Sequence, residues 1–155
     1  MIVNGNALVR AAPIVSMPTE KIYHKGFSHG LTECGVDIRI KQSVWMFFGR
    51  RFVLASSIER FEMPDHLMGR VLNKSTWARL GVDASMTTNI EPKWEGHLTL
   101  ELRYSRMKPI LIPAGVGIAQ VIFETLSEPA AYTGKYEGQP DRPVPARLYQ
   151  GENTR

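Results

Sequence analysis

The chain predicts an all-β fold, a sandwich or jelly roll with one brief helix, and three observations carry that expectation. From Gly35 onward apolar residues alternate with polar ones, the period of half-buried strands. Gly, Pro and charged residues interrupt these runs too often for strand–helix–strand units. Only one stretch has a credible helical pattern, and it is short.

Taken in order, residues 1–30 read as loop with modest strand content. Val36, Ile38 and Ile40 then alternate with Asp37, Arg39 and Lys41, which predicts a strand with one wet face. Residues 44–48 and 52–55 read as two more strands turned at Gly49-Arg50, and 67–72 as another. The helix is expected over 75–80, with Asn73 or Ser75 as its cap. Leu98, Leu100, Leu102 and Tyr104 alternate with His97, Thr99, Glu101 and Arg103 in a long strand. The Pro113-Ala114-Gly115 turn introduces the last strong strand, 116–124. From Pro129 on, Gly, Pro and polar residues dominate, yet Tyr132, Lys135, Tyr136, Gln139, Arg147 and Tyr149 remain. Such a segment has too little apolar surface to fold alone, but it can order over a ligand or a neighbouring subunit. One domain over 1–155 is expected, with an N-terminal segment 1–30 and a C-terminal lid 129–155.

Composition narrows the function classes. With 43% hydrophobic and 22% charged residues the chain falls among globular domains, not disordered ones. The net charge of +4 suits a polyanionic small molecule as well as simple solubility. It is spread thinly, without a basic block of about five or more residues, so neither nucleic acid nor membrane is an expected partner. Cys34 is the sole cysteine, which excludes an internal disulfide and points to a reducing, cytoplasmic compartment. Arg10, Pro13, Pro18 and Glu20 break up residues 1–30, so no signal or spanning segment is expected there.

The chemistry concentrates between Gly69 and Glu101, GRVLNKSTWARLGVDASMTTNIEPKWEGHLTLE. Lys74, Ser75, Thr76 and Arg79 cluster at the start of the expected helix, where converging donors could hold phosphates. The same cluster also reads as an ordinary capped helix with solvated basic residues. Glu101 stands between Leu100 and Leu102, and burial there would raise its pKa toward the range of a general base. The alternative is a surface glutamate paired across the sheet with Lys or Arg. His97 on the same strand reads as structural, and His24, His29 and His66 have no metal-ligand spacing. Zinc-dependent deamination needs His or Cys beside a PCxxC pair. The sequence has no such pair, so any deamination is expected to be zinc-free.

In series, ECGVDIRI, FVLASSIERFEMPDHLMGRVLNKSTWARLGV, IEPKWEGHLTLEL, PAGVGIAQVIFETLSEPA, GKYEGQ and PARLY resemble the dCTP deaminases, a branch of the dUTPase-like superfamily. The resemblance covers about residues 30–150 in unbroken order. It implies a dUTPase-like jelly roll or distorted β-barrel that forms a homotrimer, with active sites between subunits. It places Lys74, Ser75, Thr76 and Arg79 on the phosphate-binding segment, and Glu101 on the glutamate that activates water for attack at C4 of cytosine. Ser75 falls where a hydroxyl helps organise the reaction centre, and Glu91 on an aspartate that contacts the sugar. Thr99 and Leu100 fall on strand positions whose backbone meets the base; Tyr132, Lys135 and Gln139 fall on residues that close over the triphosphate. Mg²⁺ would arrive bound to the nucleotide, with dCTP as substrate and dTTP or dUTP as further ligands.

Three departures from the family pattern stand out. Glu91 replaces the usual Asp, and the loop VDASMTTNIE is one residue shorter than expected and lacks a His. The region before His29 is also abbreviated. The expected activity is deamination of dCTP to dUTP and ammonia. The alternatives are dUTP diphosphatase, a bifunctional enzyme, and a non-catalytic nucleotide-binding trimer. A basic nucleic-acid-binding β domain has little support outside the tail.

Overall fold

The computed structural model describes residues 1–148. β1 (Ile2–Val3), α1 (Gly5–Ala11), β2 (Lys21–His24), β3 (Phe27–Leu31), β4 (Gly35–Arg39) and β5 (Val44–Met46) come first. The long β6 (Phe52–Glu62) and β7 (Leu67–Asn73) lead into α2 (Ser75–Arg79), β8 (Val82–Asp83), a 3₁₀ turn (Ser85–Thr87) and β9 (Asn89–Ile90). β10 (Glu95–Tyr104), β11 (Ile110–Ile112) and β12 (Gly117–Thr125) follow.

The fold is mostly β, as the alternation predicts. The main sheet runs β2-β3-β4-β12-β7-β9, with β1 also paired to β12; a second sheet is β6-β10-β8, and β5 pairs with β11. All these pairings are antiparallel. Inward residues from both larger sheets form one core, including Val36, Ile38, Phe61, Leu100, Leu102, Val121 and Phe123, all fully buried. Non-local antiparallel pairing of this kind lets one strand face of each sheet stay dry while the other remains polar.

Several expectations need correction. The N-terminal segment contains a helix, α1, and two paired strands, β2 and β3, instead of mainly loop. The segments on either side of Gly49-Arg50 do turn there, through a Phe47–Arg50 bridge. They do not pair further with each other, because β5 pairs with β11 and β6 with β10. β6 runs well past Ala55 because its polar middle is buried and satisfied. Ser57 Oγ donates to the Glu59 carbonyl at 2.7 Å and accepts from Leu98 N–H at 2.9 Å. Glu59 accepts from both Arg39 N–H and Arg39 Nε at 2.8 Å. The α2 cap position is Lys74, with no side-chain cap bond; Asn73 Oδ1 instead accepts from Ala84 N–H at 2.6 Å.

Candidate functional site

β10 positions the site's central carboxylate. The N–H groups of His97 and Glu101 turn away from β6, to Gln139 O and Thr87 Oγ1, each at 2.9 Å. Leu98 N–H turns to Ser57 Oγ on β6. Strand alternation therefore puts Thr99 N–H on the outer edge and Leu100 N–H on the β6 side. Beyond that outer edge lies a cleft of about 450 Å³, lined among others by Phe52, Thr87, Glu91, Trp94, Thr99, Glu101, Tyr132 and Gln139. That size is within the usual range for a small-molecule site.

Glu101 is half-buried and faces Leu54 across the strand pair, not a basic residue. Among the described residues its carboxylate makes no ion pair, so the cross-sheet pairing alternative is excluded. Burial raises its pKa above the ordinary carboxylate value, because the cleft wall solvates the charge poorly. His97 Nδ1 lies 3.3 Å from the Ser57 carbonyl, consistent with a structural part.

Residues of the segment 129–148 form the outer wall. Tyr132 N–H donates to Pro92 O at 2.8 Å, Gly138 N–H to Glu95 O at 3.1 Å, and Trp94 Nε1 to Tyr136 O at 2.7 Å. Thr99 Oγ1 donates to Gln139 Oε1 at 2.5 Å and accepts from Val144 N–H at 3.0 Å. Gly96 makes the close approach feasible. It has φ 136°, and a Cβ there would come within 2.6 Å of Gln139 N. This pairing ties the segment to Pro92, Trp94, Glu95 and β10; Tyr149 lies outside the described residues.

Of the expected site residues, Glu91, Thr99, Glu101, Tyr132 and Gln139 share the cleft. Leu100 does not line it; its side chain is wholly buried in the core. Lys135 is on the tail, with its ammonium 5.4 Å from the Tyr136 ring centroid. The cradle lies elsewhere in the chain. Trp77 anchors α2 by stacking on Phe27 at 4.5 Å and donating to Gly117 O at 2.8 Å, which leaves Ser75, Thr76 and Arg79 exposed. Arg106 Nη2 donates to Arg79 O at 2.6 Å at the helix end. Lys74 is turned inward instead, onto Asp37 and Ser28.

Sequence reasoning missed Thr87 and Trp94. Thr87 is buried and takes the backbone N–H of the central carboxylate residue. Its neighbour Thr88, also on the cleft, has φ 65°, an unfavourable conformation for a β-branched residue. No local pattern in VDASMTTNIE marks either feature.

A family model described as dCTP deaminase-like matches residues 38–126. A dCTP deaminase of Nautilia profundicola is 33% identical over 160 residues, covering 81% of this chain and 86% of that protein. One from Gemmatimonas aurantiaca is 42% identical over 93 residues, covering 57% of this chain and 50% of its own length. One from Azotobacter vinelandii is 36% identical over 107 residues, covering 66% and 56%. The chain thus spans only about half the length of several relatives it matches. Among solved structures, EIAV dUTPase superposes with TM-score 0.56 at 14% identity, over 77% of this chain and 93% of that one. The dCTP deaminase of Agrobacterium tumefaciens superposes with TM-score 0.54 at 15% identity, over 79% of this chain and 47% of its own. These likenesses show a dUTPase-like fold, and the sequence matches give the family: the chain belongs to the dCTP deaminase-like proteins.

Proposed function

We propose that the protein is a zinc-independent deaminase that converts dCTP and water to dUTP and ammonia, supplying pyrimidine deoxynucleotides. Glu101 carries the reading: a half-buried carboxylate without an ion-pair partner among the described residues, its pKa raised by burial, on a cleft that suits a nucleoside. A base works best with its pKa near the working pH, and burial moves this one in that direction. Glu101 takes a proton from a water, and the resulting hydroxide adds to C4 of cytosine. The proton passes to the exocyclic nitrogen as the C4–N bond breaks and ammonia leaves. The outer-edge backbone at Thr99 meets the pyrimidine, Glu91 reaches the sugar, and Tyr132 and Gln139 close over the nucleotide.

Ser75, Thr76 and Arg79 bind the triphosphate in this reading, with Ser75 also ordering the reaction centre. Mg²⁺ comes on the phosphates as part of the substrate, and dUTP and dTTP are further ligands. Because these donors do not line their own chain's cleft, we assign them to the cleft of a neighbouring subunit in a jelly-roll homotrimer. Phe52 supports this, being on the cleft yet 52% exposed, with Phe47 and Phe48 exposed nearby in sequence. Apolar surface of this kind is what a neighbouring subunit would cover. A cytoplasmic location completes the reading.

Shared sites make a specific prediction. Arg79→Ala and Glu101→Gln should each be inactive alone, because each spoils every site. Unfolded and refolded together, they should recover roughly a quarter of parental ammonia release from dCTP, since random mixing leaves that share of sites intact. No recovery from well-formed mixed trimers would place cradle and base in one subunit.

The raised pKa fixes the pH profile. A general base must be ionised, so kcat/KM should fall on the acid side with a midpoint above the ordinary carboxylate value of 4.5. An acid limb at or below that value would remove Glu101 as the titrating group.

A further inference from the structure

Lys74 immediately precedes α2, and its side chain points into the protein. The ammonium donates to Asp37 Oδ2 and, at 2.8 Å, to Ser28 Oγ; Ser28 Oγ donates to Asp37 Oδ2 at 3.3 Å. The Lys74 and Asp37 side chains are only 12% and 6% exposed. The three groups come from β3, β4 and the residue after β7. Since β12 separates β4 from β7, the network bridges over β12 and fastens the entrance of α2 to the far side of the sheet.

A buried ion pair is costly to break, because the abandoned charge has neither water nor a partner. For Lys74 to leave for a phosphate, the nearly enclosed Asp37 side chain would lose its cationic partner. We propose that Asp37, with Ser28, is a positioning residue: it holds Lys74 as a strut that fixes the backbone at Lys74–Ser75 and so aims Ser75, Thr76 and Arg79. Lys74 then supports the phosphate site from behind and does not grip phosphate itself. This rests on the reading that α2 carries the phosphate contacts.

The direction of the Asp37→Asn effect tests the strut, with steady-state kinetics on dCTP and thermal melting of the same preparations. The strut predicts that Asp37→Asn and Lys74→Gln each raise KM roughly tenfold, with a smaller loss of kcat that comes through Ser75, and that the double variant is no worse than the weaker single, since all three remove one device. If Asp37→Asn leaves KM unchanged or lowers it while Lys74→Gln raises it, Lys74 is a phosphate ligand that Asp37 restrains, and the proposal is overturned. Lowered melting temperatures with unchanged KM in all three variants would make the network merely structural, and overturn it equally. Should Asp37→Asn fail to fold, Ser28→Ala keeps the ion pair; it should raise KM about threefold, and an unchanged KM refutes the strut. If the parent chain binds dCTP but releases no ammonia, the deaminase reading fails separately. Calorimetric dCTP affinity then replaces KM, with weaker binding by Asp37→Asn expected and unchanged binding contradicting the strut.

Discussion

Glu101→Gln is expected to abolish ammonia release from dCTP while nucleotide affinity stays close to that of the parent chain. The substitution keeps the shape of the side chain and the backbone bond to Thr87 Oγ1, and removes only the base. A positioned general base contributes about 10²–10⁴-fold, so at least that loss in turnover should appear. Stability should move the other way. A carboxyl whose pKa is raised on folding favours the folded state while protonated, and that advantage disappears as pH rises through the raised value. At neutral pH the charge therefore opposes folding, and the Gln variant should melt at the same temperature as the parent or higher. Near-normal turnover would remove Glu101 from the mechanism; a large loss of stability would mean its carboxylate has a structural partner.

The second large effect concerns the outer wall. Deleting residues after Ala131 removes Tyr132 and Gln139 from the cleft, together with the bonds to Trp94 and Thr99. The shortened chain should fold, because the core lies almost entirely within residues 8–123, yet lose most of its activity. Gly96→Ala is the milder version. Its new Cβ would press on the Gln139 backbone and pry the wall loose without altering a cleft side chain. Faster tryptic cleavage at Lys135 or Arg142 in that variant, slowed again by dCTP, is the expected outcome. Normal turnover by the truncated chain would show that the wall takes no part in catalysis.

What could be read from the sequence follows from where the physical signal lies. β10 and β12 announce themselves because each buries one face continuously, and period-two alternation records that directly. β4 alternates in residue type too, but its expected wet face is corrected, since Asp37 is buried as well as Val36 and Ile38. Glu101 was legible for the same reason, as a carboxylate intruding on an apolar rhythm. α1 was not, since only Leu8 of its residues is buried and Asn4 makes no side-chain cap bond. The length of β6 was hidden by Ser56, Ser57 and Glu59, which resemble a turn until their partners on Gln42, Leu98 and Arg39 are known. The cleft was legible in part. Glu91, Thr99, Tyr132 and Gln139 are scattered over the sequence, and only the family resemblance pointed to them together. The inward turn of Lys74 depends on Asp37, far away in sequence, so a basic residue beside Ser-Thr reads as a phosphate ligand when the fold gives it another partner.

The most direct test of the central claim is to incubate the purified chain with dCTP and Mg²⁺ and resolve the products. Stoichiometric dUTP and ammonia, unaffected by prior removal of transition metals, is the predicted result. Release of pyrophosphate with dUMP would add diphosphatase chemistry to the same cleft. Tight binding of dCTP with neither product would contradict the account, leaving a nucleotide-binding protein whose Glu101 performs no catalysis.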